Sequence, residues 1–288
     1  MKPPEFGYVA PESLPEALAV LAGDPFAKVL AGGQSLVPLL NLRLAFPSVL
    51  VDLRRVAGLD EIRRDGDQLV LGAMVRQRAA ERNPAVASAA PLVSAALGHV
   101  AHPQIRSQGT IGGSVAHADP AAELPAVLTA MDGRVRVRGP GGERVVGADR
   151  LYTGFLETAL AEDEIVTAVE LRAVPPRTGA ACVEIAQRAG DYALCGAVAQ
   201  VTLEAGGRVA EARVALFGIA DRPRRARAVE AALAGELAEP ETFAAAAAHA
   251  SHGLDPTDDP RAPAEYRLHL ARVVTRRALQ QAVEEADT

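Results

Sequence analysis

A glycine pair separates a strand-like run from a helix-like run near the start of the chain, in the stretch KVLAGGQSLVPLL at residues 28–40. Residues 28–30 have the character of a short buried strand, and Ser35 with Pro38 is typical of a helix start. Glycines at such a turn let backbone N–H groups approach a bound group closely, and a following helix N-terminus favours negative charge. The stretch therefore predicts either a phosphate-binding loop or a plain turn that needs glycine for its dihedral angles.

A second glycine pair follows in QIRSQGTIGGSVAHADPAAELPAVL at residues 104–128. Each pair is followed by a serine, Ser35 or Ser114, which can cap an adjacent segment or donate to a phosphate oxygen. Two such turns from different subdomains would offer many N–H donors to a diphosphate, which suits a dinucleotide in a cleft. Downstream, Asp119 is placed either to accept hydrogen bonds from ribityl or ribose hydroxyls or to cap a helix that begins at Pro120.

The composition is that of a globular chain with a substantial core. Its 288 residues are 49% hydrophobic, which allows one to three domains. No uninterrupted apolar run is long enough to span a bilayer, and the first ten residues, MKPPEFGYVA, lack the apolar centre of a signal peptide. We therefore expect a cytoplasmic protein. A net charge of −6, with no basic patch interleaved with aromatic residues, argues against nucleic-acid binding.

Several common kinds of site are excluded by what the sequence lacks. It lacks the glycine and lysine, followed by serine or threonine, that end a P-loop. It also lacks the G-x-G-x-x-G fingerprint of a Rossmann fold. Cys182 and Cys195 cannot supply the four thiolates of an iron–sulfur cluster, so we expect both in the core. His99, His102 and His117 lack carboxylates at metal-ligand spacing, and no Ser-His-Asp arrangement stands out, so we predict neither a metal site nor a catalytic side chain.

The hydrophobic pattern changes along the chain. An α/β unit at the N-terminus is followed from about residue 61 by shorter strands, and the prolines in RAVPPRTGAA mark a joint between domains. We predict strands at 28–30, 49–53 and 68–75, and hairpins that turn at 139–142 and 206–207. Helices are predicted at 11–21, after Ser35, and at 83–97, 123–131, 222–237, 240–250 and 263–286.

The glycine motifs AGGQSL (31–36) and TIGGSVAHADPAAELP (110–125) closely resemble those of the FAD-binding medium subunit of molybdenum hydroxylases, the carbon monoxide dehydrogenase and xanthine dehydrogenase group. The resemblance covers essentially the whole chain. Where several members have a lysine shortly before Gly-Asp-Tyr, this chain has Val183 and Glu184, so a flavin-tuning cation is not expected there. The other matching segments, in the family's order and spacing, are RLAFPSVLVDL (43–53), EDEIVTAVEL (162–171), RAGDYALCGAVA (188–199) and PAEYRLHLARVVTRRAL (263–279).

This resemblance implies an α+β protein with a FAD-binding fold of the vanillyl-alcohol-oxidase (PCMH) type. Residues 1–174 would form the FAD-binding domain, with subdomains at about 1–55 and 56–174. Residues 178–288 would form an α+β C-terminal domain of the CO dehydrogenase flavoprotein type. The segments predicted from hydrophobic pattern agree with this division.

The resemblance also implies roles for individual residues. Asp119 would bind cofactor hydroxyls, Ile165 or Val166 would give a backbone and apolar contact, and Tyr192 would lie beside the isoalloxazine ring. The alternative for Tyr192 is an ordinary core aromatic. The two sides of the diphosphate site would be formed by Ala31, Gly32, Gly33, Gln34, Ser35 and Leu36, and by Thr110, Ile111, Gly112, Gly113 and Ser114.

The function implied is that of an electron-transfer subunit with non-covalent FAD. It would accept electrons from [2Fe-2S] clusters on a small subunit, beside a large molybdopterin subunit, in a dimer of heterotrimers. The final acceptor, which could be NAD, a quinone or oxygen, stays open, as does the substrate of the complex. Two alternatives are a free-standing flavin oxidoreductase of the same fold and a scaffold subunit whose glycine loops have lost the cofactor.

Overall fold

The computed structural model describes residues 2–286. Its N-terminal segment, residues 2–55, has a parallel sheet in the order β1-β3-β2. Ser13 caps the first helix by accepting from the N–H of Glu16, and Pro15 occupies the first turn, where its missing N–H costs nothing. The elements are β1 (Gly7–Val9), α1 (Leu14–Gly23), β2 (Lys28–Leu30), α2 (Leu36–Asn41) and β3 (Val49–Asp52), followed by a 3₁₀ turn at Leu53–Arg55.

The middle segment, residues 56–174, contains β4 (Ile62–Asp65), β5 (Gln68–Gly72), α3 (Gln77–Glu81), α4 (Pro84–Ala89), α5 (Pro91–Leu97), α6 (Pro103–Arg106), α7 (Ile111–His117), α8 (Glu123–Ala130), β6 (Arg134–Gly139), β7 (Gly142–Gly147), α9 (Ala148–Leu151), β8 (Tyr152–Gly154), β9 (Glu157–Thr158) and β10 (Ile165–Arg172). An antiparallel sheet runs in the order β4-β5-β10-β6-β7. The predicted hairpin is formed by β6 and β7, whose turn places Gly142 at φ +104°, a conformation that favours glycine.

The C-terminal segment, residues 178–286, is an antiparallel sheet in the order β11-β12-β13-β14 that is covered on one face by a long helix. Gly179 allows the close approach of that helix, because a Cβ atom there would overlap the carbonyl oxygen of Ala282. The elements are β11 (Thr178–Ile185), β12 (Cys195–Leu203), β13 (Val209–Phe217), β14 (Arg224–Arg225), α10 (Arg227–Leu233), α11 (Pro240–Ala247), a 3₁₀ turn at Ala248–Ser251 and α12 (Ala264–Ala286).

Two predicted helices differ from the structure. The helix expected at 83–97 is divided into α4 and α5, because Pro91 cannot donate an N–H and forces Ala90 out of the helical region, to φ −145° and ψ 66°. The helix expected at 222–237 is shorter, since residues 224–225 add the edge strand β14 before α10 begins. The α+β class itself is confirmed.

The middle and C-terminal segments share one apolar core. As the prolines predict, residues 173–177 connect β10 to β11 without regular structure. One face of the C-terminal sheet nevertheless packs against α5 and α8, with Cys182, Val198 and Phe217 in the same buried cluster as Leu92 and Leu128. Its other face packs under α12. Both cysteines are buried, as predicted, and no helix within residues 2–286 is long and apolar enough to cross a membrane.

Candidate functional site

The first glycine loop leaves the end of β2 and is held by its own polar groups. Gly33 has φ +74°, which is strained for residues with a side chain. The side-chain amide of Gln34 donates to the carbonyl oxygen of Gly32 at 3.0 Å. The N–H of Val37 donates to the carbonyl oxygen of Gly33 at 3.1 Å. The loop therefore has a defined shape without a ligand.

The N–H groups of this loop are not used within the protein. Across residues 2–286, no acceptor receives a hydrogen bond from the backbone N–H of Gly32, Gly33, Gln34 or Ser35. All four residues are half-buried. Four successive N–H groups without an acceptor in the protein are a set of donors available to an anion.

The helix after this loop begins differently from the prediction. Ser35 has φ −106° and ψ −48°, and its side chain makes no capping hydrogen bond to α2. A residue with helical backbone angles cannot act as an ordinary N-cap, which requires an extended conformation, so the predicted capping role is wrong. Within residues 2–286 the Ser35 hydroxyl has no hydrogen-bond partner and is available to a ligand. Leu36 packs against Leu30, Leu40 and Leu50.

The second glycine pair lies in a helix and not in a turn, which corrects the prediction. Gly112 and Gly113 belong to the first turn of α7, and Thr110 is its N-cap, with its hydroxyl accepting from the N–H of Gly113 at 3.0 Å. Ser114 follows inside the helix, so its predicted capping role is also wrong. The sequence signal that was overlooked is Thr110 itself, a good N-cap residue three positions before Gly113.

Gly112 has a packing role that explains its lack of a side chain. A Cβ atom there would lie 2.5 Å from the Cβ atom of Ala73, and its N–H donates to the carbonyl oxygen of Ala73 at 2.9 Å. The N–H of the buried Ile111 donates to the carbonyl oxygen of Val75 at 2.9 Å. These contacts fix α7 against the chain that leaves β5.

The two glycine motifs meet in space, as predicted. A Cβ atom at Gly32 would overlap the carbonyl oxygen of Gln108, and one at Gly113 would lie 3.3 Å from the Cβ atom of Ala31. The Arg76 guanidinium also donates to the carbonyl of Gln108. The side of α7 that carries Gly113 and the half-buried Ser114 therefore adjoins the first loop.

Asp119 lies in the loop between α7 and α8. Its carboxylate accepts from the N–H of Ala121 at 2.8 Å and so stabilises the turn. The alternative role as a helix N-cap is wrong, because α8 begins at Glu123 and its N-cap is Ala122. The second carboxylate oxygen of Asp119 has no hydrogen-bond partner within residues 2–286, so it remains available to a ligand hydroxyl.

Tyr192 lies in the loop between β11 and β12 and is 60% exposed, which excludes the alternative of a core aromatic. Partial burial is the main cause that raises the pKa of its phenol, and the negative charges of Asp119 and Glu123 raise it further. The same loop contacts the chain after α5, since a Cβ atom at Gly190 would lie 2.7 Å from the ring of His102. Tyr192 and Asp119 thus face one region at the junction of the middle and C-terminal segments.

Ile165 and Val166 are placed differently from the other predicted residues. Both begin β10, and their side chains are buried in two separate cores, Ile165 with Met74 and Val166 with Leu71. An apolar side-chain contact with a ligand is therefore not supported. Only the predicted backbone contact stays open.

Three ionisable residues near this region were not recognised from the sequence as a group. His99, Glu123 and Glu184 belong to different elements, and His99 Nδ1 lies 3.6 Å from Glu184 Oε1. The pKa of Glu123 is raised to about 8, mainly because the side chain is buried. The negative charges of Glu184 and Asp119 also raise this pKa, whereas a hydrogen bond from the backbone N–H of Glu123 and the charge of His99 lower it. Among residues 2–286, no three His, Cys, Asp or Glu side chains form a group that could hold a metal ion.

Two family models together match nearly the whole chain. Residues 4–173 match the FAD binding domain in molybdopterin dehydrogenase, and residues 181–282 match the CO dehydrogenase flavoprotein C-terminal domain. The chain belongs to the FAD-binding medium subunits of the molybdenum hydroxylases. This medium subunit is a flavoprotein oxidoreductase subunit, and both glycine motifs lie in its FAD-binding domain.

Full-length relatives support the same assignment. The medium subunit is 40% identical to the 6-hydroxypseudooxynicotine dehydrogenase complex subunit alpha of Paenarthrobacter nicotinovorans, over 99% of this chain and 97% of the relative. It is 36% identical to the carbon monoxide dehydrogenase medium chain of Hydrogenophaga pseudoflava, over 98% of each chain. The crystal structure of quinoline 2-oxidoreductase from Pseudomonas putida 86 superposes with a TM-score of 0.95, at 40% identity over 100% of both chains.

The residues of the medium subunit fit the cofactor of its family. A diphosphate needs several donors at close range, and the N–H groups of residues 32–35, which have no acceptor within residues 2–286, would be such donors, with no side chain at Gly32 or Gly33 in the way. The free hydroxyl of Ser35 adds a further donor. The chemistry of these donors is compatible with an anionic diphosphate.

Proposed function

We propose that this chain binds FAD non-covalently through the loop at residues 31–36 and the start of α7, and passes electrons through it. The observation that carries the proposal is the run of unpartnered N–H groups at residues 32–35. Ser114, Asp119 and Tyr192 complete the proposed site: Ser114 as a second hydroxyl donor, Asp119 for the ribityl or ribose hydroxyls, and Tyr192 beside the ring. The intact donors also argue against a scaffold subunit that has lost its cofactor.

FAD, when bound, supplies the exchange of one or two electrons, and the protein supplies binding, orientation and electrostatics. The two cysteines are the side chains of this sequence that could form a second redox group. Cys195 is buried and its pKa is raised to about 12, mainly by burial, while burial also raises the pKa of Cys182. Neither thiol is therefore available as a thiolate near neutral pH.

Electrons must then come from other chains. We place this chain in a complex with an iron–sulfur small subunit that carries [2Fe-2S] clusters and a large subunit that carries molybdopterin. A dimer of heterotrimers, a cytoplasmic location and an external electron acceptor belong to the same proposal. The runner-up is a free-standing flavin oxidoreductase of the same fold.

The experiment compares the chain purified alone with the chain co-expressed with its genomic neighbours. We expect the isolated chain to show a flavin spectrum and no hydroxylation, and the complex to hydroxylate an organic substrate with an artificial acceptor. Turnover by the isolated chain at the rate of the complex would establish the free-standing enzyme. A colourless isolated chain that does not take up added FAD would establish the scaffold.

One exposed apolar surface fits the expected partner. Three exposed large apolar side chains follow the end of α2 along the chain, and the N–H of Ser48 donates to the carbonyl oxygen of Phe26, which places the exposed Phe26 beside this segment. Exposed apolar clusters of this kind typically mark protein–protein interfaces. We assign this apolar cluster to the iron–sulfur subunit, because it borders the helix that follows the first glycine loop and so lies near the proposed cofactor. Its members are Phe26, Leu42, Leu44 and Phe46.

Replacing Leu44 and Phe46 together with aspartate is expected to abolish co-purification of the iron–sulfur subunit while the chain keeps its FAD. Both side chains are about two-thirds exposed, at 68% and 67%, so the substitution leaves the core of the free chain intact. The matched control is Phe155→Asp, another residue that is 68% exposed, in the β8–β9 turn. Unchanged co-purification of the double variant would assign the interface to another surface.

A further inference from the structure

An arginine in the first turn of α12 donates to three backbone carbonyls. Arg267 Nη1 donates to the carbonyl oxygen of Thr257 at 2.9 Å, and its Nε donates to the carbonyl oxygen of Leu194 at 3.4 Å. Its Nη2 donates to the carbonyl oxygen of Gly218. Within residues 2–286, no carboxylate forms an ion pair with this guanidinium. The side chain therefore joins three loops of the C-terminal segment to one helix.

Two of these loops are in contact with one another. Leu194 ends the loop that carries Tyr192, and its N–H donates to the carbonyl oxygen of Ile185 at 2.8 Å. Gly218 has φ +71°, and a Cβ atom there would lie 2.8 Å from the carbonyl oxygen of Ala193. The loop that follows β13 therefore packs directly against the end of the Tyr192 loop.

The loop that follows β13 also reaches the turn of Asp119. The N–H of Gly218 donates to the carbonyl oxygen of Pro120 at 2.7 Å. Asp119, the preceding residue, accepts from the N–H of Ala121 at 2.8 Å, so its carboxylate belongs to the same short turn. A continuous set of hydrogen bonds thus leads from Arg267 through Gly218 to this turn.

A guanidinium is suited to holding several backbone segments in one arrangement. It presents five N–H donors in a rigid plane, and its positive charge strengthens each hydrogen bond to a carbonyl oxygen. Methionine has a similar reach but no donor, so Arg267→Met would leave three carbonyl oxygens without this partner. The strands β11, β12 and β13 pair through their own backbones, so the substitution should loosen the loops and not the sheet.

We propose that Arg267 is a positioning residue for the flavin, which holds Tyr192 beside the ring and Asp119 at the cofactor hydroxyls in one fixed arrangement. The inference rests on the proposed function, which places Tyr192 and Asp119 at the cofactor. Arg267 belongs to α12 and lies outside both glycine motifs, so it acts on the cofactor through the two loops. Its loss should change the surroundings of the ring while the diphosphate donors stay in place.

The test measures the reduction potential of the FAD-loaded chain, titrated with a reference dye at saturating FAD. Tyr192→Ala is expected to shift the potential, because it removes the phenol from beside the ring. Arg267→Met should shift the potential in the same direction, because the phenol is no longer held there. The double variant should have the potential of Tyr192→Ala alone, since residues that act as one unit are not additive.

The affinity for FAD measures the connection to Asp119. Titration of the apoprotein should show that Asp119→Ala weakens binding about tenfold, the effect of one lost hydrogen bond to a charged group. Arg267→Met should weaken binding by a smaller factor. The variant that combines both substitutions should bind FAD no more weakly than Asp119→Ala, because Arg267 acts through the turn that Asp119 occupies.

The matched control is Arg272→Met, the same substitution at an exposed arginine of α12 that has no hydrogen bond within residues 2–286. It should leave the potential and the affinity unchanged. Arg267→Lys keeps the charge and a donor, so it should recover part of both effects. Hydrogen–deuterium exchange of the FAD-free chain should be faster at residues 186–194 and 118–122 in Arg267→Met than in the control.

The outcomes separate this inference from the proposed function. A wild-type chain that does not bind FAD, or an unchanged potential in Tyr192→Ala, would overturn the proposed site and the inference together. A shifted potential in Tyr192→Ala, with Arg267→Met at the wild-type potential or with additive shifts in the double variant, would overturn the positioning role alone. If Arg267→Met does not fold, Arg267→Lys decides the question, and a wild-type potential in that variant would overturn the positioning role.

Discussion

Replacing Gly33 with valine is expected to give a folded chain that binds FAD more than about tenfold more weakly, because the loss of even one hydrogen bond to a charged group costs about 1.5–3 kcal/mol. Gly33 has φ +74°, a region that is unfavourable for a β-branched residue. A Cβ atom there would lie 3.3 Å from Val37 and 3.5 Å from Leu30. The side chain is therefore nearly accommodated, and the loop is expected to relax its backbone and turn its N–H groups away from the ligand.

The matched control is Gly58→Val. Gly58 has φ +80°, and no atom lies within 4 Å of the position that a Cβ atom would take. A valine there is therefore expected to have the same unfavourable backbone conformation, but outside the site. Both variants should lose about 1–2 kcal/mol of unfolding free energy, the cost of a left-handed conformation for an L-residue. Only Gly33→Val should lose FAD. The measurements are the flavin-to-protein absorbance ratio after gel filtration and a titration of the apoprotein with FAD. Equal flavin content in both variants would remove the first loop from the binding site.

Replacing Arg106 with methionine is expected to lower the free energy of unfolding by about 3 kcal/mol, because a buried ion pair that loses one partner leaves a desolvated charge. Arg106 is 6% exposed, and its guanidinium donates to both carboxylate oxygens of Glu81, at 3.0 and 3.1 Å. It also donates to the carbonyl of Val100 at 2.7 Å. Arg78 also donates to Glu81, at 2.8 Å, and the variant keeps this arginine, so the loss should lie at the lower end of the usual range of about 3–5 kcal/mol.

The pH dependence of the same pair has a definite sign. Burial acts to raise the pKa of Glu81, but hydrogen bonds from Arg106 and Arg78 outweigh it and hold the pKa below its usual value of 4.5. A carboxyl whose pKa is lower in the folded state stabilises the protein above its unfolded pKa and loses that contribution as the pH falls through the folded value. The wild type should therefore lose stability below about pH 4.5 more steeply than Arg106→Met.

Chemical denaturation at several pH values measures both effects. The matched control is Arg63→Met, which breaks an ion pair with Asp65 whose side chains are 45% and 64% exposed. Exposed pairs of this kind contribute at most about 1 kcal/mol, so this variant should change little. An Arg106→Met protein as stable as the control would show that the buried pair does not stabilise the fold. A secondary loss of FAD affinity is also expected, since Arg106 anchors the chain that leads to Thr110.

Local sequence patterns predicted much of the architecture because they depend on neighbours in the chain. The strand at residues 28–30, the hairpin around residues 139–142 and the long C-terminal helix agree closely with β2, the β6–β7 pair and α12. The convergence of the two glycine motifs was also predicted, with the long-range information supplied by the resemblance to a family. The N-terminal strand β1 was missed, since Gly7–Val9 is too short for a periodic signal and forms only by pairing with β3.

By itself, the sequence determined the α+β class, the family and the positions of the two glycine motifs. The tertiary structure alone decided what each glycine does: Gly112 permits the contact with Ala73, whereas Gly33 has a left-handed backbone in a loop with unpaired donors. It also decided which ionisable side chains lie where the middle and C-terminal segments meet. His99, Glu123 and Glu184 are distant in the chain and carry no shared motif, and only the packing of α5 and α8 on the C-terminal sheet brings them together. Burial and mutual charge, which arise from that packing, then change the pKa of Glu123 in a way that no local pattern encodes.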